Sequence, residues 1–146
     1  MRFDWGDDLW MEVLHPGTEL LSSPGADENN NSVVLRLVYG QMTFLFTGDI
    51  EAEAERLLVD SGRPLSAVVL KVSHHGAGEA STEAFLEAVR PQLAVISVGA
   101  GNRYHHPAKA TLRRLEACGA RVLRTDQRGT VEVTTDGAQL WVETDR

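Results

Sequence analysis

Apolar positions recur with different periods along the chain. Residues 9–14, 33–39 and 43–47 form short runs of apolar, β-branched and aromatic side chains, which are typical of strands. From residue 50 onward, segments with helical spacing alternate with short apolar runs, as happens where helices connect parallel strands. The pattern predicts an α/β fold built around a mixed sheet with three helices.

Cap and turn residues set the predicted boundaries. One helix follows Asp49 and ends before Gly62, a second covers about residues 82–89, and a third begins at Pro107 and ends at Gly119. Further strands are predicted at residues 67–72, 93–98, 122–123, 130–134 and 140–142, and Gly40-Gln41 and Asp136-Gly137 favour hairpin turns. Residues 22–31 contain Pro, Gly, Asp and three asparagines, and this composition predicts disorder.

Composition is that of one folded domain. The chain has 146 residues, of which 42% are hydrophobic, and no stretch approaches the roughly 18 apolar residues of a membrane helix. We therefore expect a soluble domain. The net charge of -7 argues against a general polyanion-binding surface. Residues 101–128 differ from this acidic average, because they contain seven basic residues and two acidic ones. They form either a solvated face or a rim that faces phosphate.

Candidate ligands follow successive strands. Thr47-Gly48-Asp49 ends one predicted strand, Ser73-His74-His75-Gly76 ends the next, and residues 102–106 follow a third. Because the carboxyl ends of parallel strands share one edge of a sheet, these segments should meet. Carboxylate and imidazole groups together suit a divalent metal. Two simpler interpretations stay open: Asp49 as the N-cap of the helix that follows it, and the histidine pair as a plain turn.

The ordered set of motifs resembles a known family. The segments are residues 29–37, 44–50, 70–76, 96–99, 102–107 and 124–130, and they include the two motifs above and Asn102-Arg103-Tyr104-His105-His106-Pro107. In this order they resemble the metallo-β-lactamase-type domain at the C-terminus of ComEC competence proteins, the channels of DNA uptake. The resemblance covers nearly the whole chain.

The resemblance implies an αββα hydrolase fold with two divalent metals, zinc or manganese, between two sheets. It makes Asp49 the bridging ligand and His75 a ligand of one metal, with His74 as second choice. The activity implied is that of a phosphodiesterase or nuclease in DNA uptake during natural competence. The parent protein would lie in the bacterial cell membrane, on a side that is left open, and would act on DNA, most naturally single-stranded.

The family's His-x-His-x-Asp-His motif occurs nowhere in the chain. We therefore expect residues 1–146 to be one partial domain, the C-terminal half, that lacks the half with that motif. Alone it should bind metal weakly or not at all, be inactive, and self-associate unless the missing half covers it.

Roles of the remaining candidates stay open. His106 either caps the third helix or acts as a phosphate contact or general acid, and His74 could orient a ligand or carry a proton. Asn102, Arg103 and Tyr104 are either loop residues or substrate contacts, with Arg103 as a phosphate clamp. Two other functions are considered: a non-catalytic module that binds a partner or single-stranded DNA, and a phosphocholine-type esterase.

Overall fold

A computed structural model describes residues 1–6, 8–22 and 27–146. Seven strands form one sheet in chain order, and two more form a separate hairpin. The strands are β1 (Arg2–Asp4), β2 (Leu9–His15), β3 (Val34–Tyr39), β4 (Met42–Phe46), β5 (Val69–Lys71), β6 (Leu93–Ile96), β7 (Arg121–Arg124), β8 (Val131–Thr135) and β9 (Leu140–Thr144). The helices are α1 (Asp27–Asn30), α2 (Ala52–Asp60), α3 (Glu83–Val89), α4 (Lys109–Ala117) and α5 (Thr125–Arg128).

The sheet is mixed, as the pattern predicts. Strands β1 to β4 pair antiparallel, and β4 to β7 pair parallel. Tyr39 pairs with Met42 across Gly40-Gln41, so the predicted two-residue hairpin turn is confirmed. The α/β fold class and the three main helices are confirmed too. The short helices α1 and α5 and the edge strand β1 were not predicted, since elements of three or four residues leave little periodic signal.

Neighbouring strand residues point to opposite faces of the sheet, and each face has its own core. Leu45 and Leu70 pack with Phe85 and Leu115 of the helices. Phe44 and Val69 face the β8–β9 hairpin instead, where partly buried valines and leucines pack against them. A cavity of about 230 Å³ remains on that second side, lined in part by Phe46, Lys71 and Val131.

The polar segment predicted to be disordered contains ordered structure. Residues 23–26 lie outside the described residues, but Asn30 is only 2% exposed. Its Oδ1 accepts the backbone N–H groups of Glu51 and Ala54 at 2.9 and 3.3 Å, so it caps the start of α2. Its carbonyl accepts the ring N–H of buried His15 at 2.6 Å. The prediction of disorder is wrong at this end because asparagine amides here satisfy backbone groups of distant elements.

The start of α4 also differs from the prediction. Ala108 is its N-cap and Lys109 its first residue, so Pro107 precedes the helix. The Ala108 N–H donates to Gly76 O at 2.9 Å, which ties this segment to the histidine pair rather than to the helix. No helix among residues 1–6, 8–22 and 27–146 is long and apolar enough to cross a bilayer.

Candidate functional site

Three strand ends bring the predicted residues together at one edge of the sheet. Asp49 follows β4, the histidine pair follows β5, and the loop of residues 99–108 follows β6. These strands are neighbours and parallel. The His74 N–H donates to Gly48 O at 3.1 Å, which links the first two segments directly. The predicted convergence of these segments is therefore present in the fold.

Asp49 does not cap the following helix. The N-cap position belongs to Glu51, and the Asp49 side chain stays 41% exposed at the sheet edge. Its backbone N–H donates to Ser32 Oγ at 3.2 Å. Gly48 before it has φ +55°, and a Cβ there would lie 2.7 Å from Ser32 Cβ. The N-cap interpretation is wrong, and the carboxylate is directed by a glycine turn that Ser32 holds in place.

His75 presents one ring nitrogen to Asp49. Its Nδ1 lies 2.6 Å from Ser97 O, and since a carbonyl only accepts, Nδ1 carries the proton. The lone pair is then on Nε2, which lies 3.8 Å from Asp49 Oδ1. Metal-binding histidines are oriented in this way, with the second nitrogen fixed by a backbone carbonyl or a carboxylate.

The backbone of the histidine pair is strained. His74 and His75 have φ values of +45° and +53°, in the left-handed region that residues with a Cβ rarely adopt. Each such residue costs on the order of 1–3 kcal/mol, and such conformations cluster at functional sites. The plain-turn interpretation gives no reason for two consecutive strained residues.

His74 points to a different partner. Its Nδ1 lies 3.1 Å from Glu51 Oε1, and its ring meets the ring of His106 edge-on, with centroids 5.7 Å apart. The contact described for Asp49 is therefore with His75, the first choice of ligand. His74 lies next to His75 and contacts Glu51 and His106 instead.

His106 lies between aromatic neighbours. Its ring stacks on Tyr104 with centroids 5.8 Å apart, and its backbone N–H donates to Asn102 Oδ1 at 2.9 Å. Burial lowers the pKa of His106, and the positive charge that His74 and His75 can carry lowers it further. Both effects favour the neutral form of the ring. His106 also does not cap α4, whose N-cap is Ala108.

The other loop candidates divide into one internal and two exposed residues. The Asn102 amide donates to His106 O at 2.7 Å and to Gly99 O at 3.1 Å, so it holds the loop together. Arg103 donates to Tyr104 Oη at 2.6 Å, and its guanidinium lies 4.8 Å from the centre of that ring. Arg103 and Tyr104 are exposed at the rim of the site.

Two side chains at the site were missed from the sequence. Glu51 follows Asp49 by two residues and resembles an ordinary first-turn acid. Lys71 resembles a break in an apolar strand, yet it is half-buried near Asp49: burial lowers its pKa, and the negative charge of Asp49 opposes that effect. The carbonyl of Ser97 has no sequence signal, because any residue supplies one.

Comparison with known proteins shows the family of the chain. The family model described as the metallo-beta-lactamase superfamily matches residues 1–100. The chain belongs to this superfamily. It is 41% identical over 125 residues to ComE operon protein 3 of Bacillus subtilis, which covers 86% of the chain and 16% of that protein. It is 39% identical over 132 residues to competence protein ComA of Neisseria gonorrhoeae, covering 90% of the chain and 18% of that protein.

A third similar protein is named for recombination. Recombination protein 2 of Haemophilus influenzae is 35% identical over 132 residues, covering 89% of the chain and 16% of that protein. The resemblance inferred from the sequence is thus confirmed. The chain spans less than a fifth of the length of each of these relatives.

The donors present fit part of a metal site of the kind typical in the superfamily. Zinc lies about 2.0–2.1 Å from histidine nitrogen and about 2.0–2.2 Å from carboxylate oxygen, so two such donors of one ion are at most about 4.3 Å apart. The 3.8 Å between His75 Nε2 and Asp49 Oδ1 falls within that limit. Within the described ranges, however, no group of three or more His, Cys, Asp or Glu side chains could hold a metal. The fit is that of an incomplete shell.

The surroundings of His106 lead to a prediction about its titration. We expect its pKa, measured by NMR, to lie below the ordinary value of about 6.5, and His74→Gln to raise it, because that change removes a neighbouring positive charge. The increase should be partial, since burial is the larger cause. His105→Gln should leave the pKa unchanged. A wild-type pKa at or above the ordinary value would contradict the described packing.

Proposed function

We propose that this chain is part of a metal-dependent phosphodiesterase or nuclease domain that acts on DNA during uptake in natural competence. The observation that carries the proposal is the Asp49–His75 pair, in which Ser97 fixes the histidine tautomer and leaves Nε2 facing a carboxylate. Superfamily membership and the names of two of the similar proteins support it.

Asp49 and His75 would hold the metal, either zinc or manganese, both of which accept carboxylate and imidazole donors. When bound, a divalent metal supplies Lewis-acid activation of water and of the phosphoryl group. The chain's own residues orient the substrate and handle protons. His74 is the residue that we assign to proton transfer.

His106 is better suited to contact phosphate than to act as a general acid. A general acid must hold a proton at the working pH. The lowered pKa of His106 favours the neutral ring, which has one N–H to donate. The neutral ring can hydrogen-bond a phosphate oxygen, while Tyr104 stacks against its face. Of the roles left open by the sequence, the geometry supports the phosphate contact best.

Arg103 and Tyr104 would meet a single DNA strand at the rim. Aromatic rings stack on bases without regard to sequence, and a guanidinium pairs with phosphate. In this role the two residues would exchange their mutual hydrogen bond for contacts to the strand. Asn102 would contribute indirectly, by holding the loop that carries His106.

The incomplete shell supports a partial domain. We propose that residues 1–146 form the C-terminal half, and that the other ligands come from a segment with the His-x-His-x-Asp-His motif. That segment would also cover the part of the second face that the β8–β9 hairpin leaves exposed, where Phe46 is 41% exposed; otherwise the chain should self-associate. We place the parent protein in the bacterial cell membrane.

A binding module built on the basic stretch has less support. Arg114 donates to the carbonyls of Gly78, Ala80 and Ser81, each at 2.8 Å. Arg124 pairs with Asp126 at 2.6 Å. These two residues are used inside the fold and are not available as a phosphate-facing rim. A phosphocholine-type esterase would use the same metal ligands and differs only in substrate.

Metal binding by the chain alone tests the assignment of ligands. Calorimetry with Zn²⁺ or Mn²⁺ should show weak binding, because two donors make an open shell. Asp49→Ala and His75→Ala should each abolish it. His105→Ala is the matched control, an exposed histidine of the neighbouring loop, and it should bind like the wild type. Tight stoichiometric binding that survives Asp49→Ala would disprove the assignment.

A further inference from the structure

Glu51 lies between Asn29 and His74, beside the Asp49–His75 pair. It occupies the N-cap position of α2, yet its side chain makes no capping hydrogen bond. Asn30 performs that role instead, by accepting the N–H groups at the start of the helix. The Glu51 carboxylate is therefore free to turn away from the helix and toward the histidines.

The position of this carboxylate is fixed from the other side. Asn29 Nδ2 donates to Glu51 Oε1 at 3.0 Å, and the same oxygen lies 3.1 Å from His74 Nδ1. Glu51 is only 20% exposed. A half-buried carboxylate oxygen is thus held between an amide donor and one edge of an imidazole.

Among the described residues, His74 Nδ1 has no alternative partner. It is buried, and no hydrogen bond to it satisfies strict geometry among the described residues. The Glu51 oxygen lies at contact distance, although the ring is not aligned for a hydrogen bond. Because buried ring nitrogens are normally paired and a carboxylate only accepts, a small ring rotation that completes this contact requires a proton on Nδ1.

We propose that Glu51 is a positioning residue that holds neutral His74 as its Nδ1–H tautomer. The nitrogen that carries the proton is set by the hydrogen bond it makes. Nε2 then has the free lone pair and is the atom that accepts a proton at the site. The inference rests on the proposed function, in which His74 transfers a proton.

The neighbouring histidine supplies a parallel within the same turn. His75 Nδ1 is tied to Ser97 O, and its Nε2 faces Asp49. The Glu51 carboxylate would fix the tautomer of His74 as the Ser97 carbonyl fixes that of His75, so both rings would carry the lone pair on Nε2. In both strained residues the unprotonated ring nitrogen is then Nε2: in His75 it faces Asp49, and in His74 it is the proton acceptor.

Imidazole ¹⁵N NMR of the 146-residue chain tests this assignment without metal or substrate. At a pH well above the ordinary imidazole pKa of about 6.5, His74 should show a protonated Nδ1 and an unprotonated Nε2. Glu51→Ala should switch it to the Nε2–H form that free histidine prefers. Glu51→Gln keeps an acceptor oxygen and should retain the wild-type tautomer. Glu87→Ala removes an exposed acid of α3 and should change nothing.

Two results would overturn the inference: an Nε2–H tautomer in the wild type, or an unchanged tautomer in Glu51→Ala with a wild-type amide spectrum. If Glu51→Ala does not fold, Glu51→Met provides the second variant. It keeps a side chain of similar length without a carboxylate oxygen and should give the Nε2–H form, whereas a pure Nδ1–H signal would contradict the role of Glu51. Neither failure affects the Asp49–His75 assignment, which the calorimetry tests separately.

Discussion

A segment carrying the His-x-His-x-Asp-His motif, supplied in trans, is expected to convert an inactive chain into one that cleaves single-stranded DNA with Zn²⁺ or Mn²⁺. Asp49 and His75 alone make an incomplete shell, and activation of water requires the full metal site. The same addition should cover the exposed Phe46 face and reduce self-association. Nuclease assays and light scattering measure the two effects.

His75→Ala separates chemistry from assembly in this experiment. It should abolish cleavage while leaving association of the two halves intact, because His75 is at the sheet edge and not in either core. His105→Ala should retain activity. A phosphocholine ester tested in parallel distinguishes the nuclease from the esterase. An esterase would hydrolyse the ester and leave the DNA intact. Robust cleavage by the chain alone, insensitive to chelators, would show that the site is wrongly placed.

Gly76→Ala is expected to cause the largest loss of stability among single changes at this edge. Gly76 has φ +82°, and a Cβ there would lie 2.6 Å from Pro107 Cβ and 3.2 Å from Pro107 Cα. The left-handed backbone alone costs about 1–2 kcal/mol for alanine, and forcing a methyl group into packed atoms adds about 1–3 kcal/mol. We expect a total loss of roughly 2–5 kcal/mol in the free energy of unfolding, measured by urea denaturation.

Gly62→Ala isolates the backbone contribution. Gly62 has φ +67°, and a methyl group added there would meet no atom within 4 Å. This variant should therefore lose only the backbone contribution, about 1–2 kcal/mol of the free energy of unfolding. Equal losses in both variants would mean that Pro107 moves aside freely. In that event the contact between Gly76 and Pro107 does not fix the histidine turn relative to the His106 loop.

Much of the fold could be predicted from local pattern. The β3–β4 hairpin and the helices α2 and α3 follow from apolar periodicity and turn residues, which act over a few positions. The parallel order β4–β5–β6 follows from the intervening segments, and it places Asp49, the histidine pair and the His106 loop at one edge. The sequence alone was therefore sufficient to bring the candidate residues together.

The tertiary structure decided which partner each of these residues contacts. Whether Asp49 caps a helix depends on Asn30, which lies outside that helix and takes the capping role. The choice between His74 and His75 depends on a backbone carbonyl at Ser97 and a carboxylate at Glu51. Such contacts join segments about twenty residues apart, and their partners are backbone atoms or ordinary acids. Sequence spacing determined the strand ends by itself, whereas ring orientation and tautomer depend on distances that only the packed chain defines.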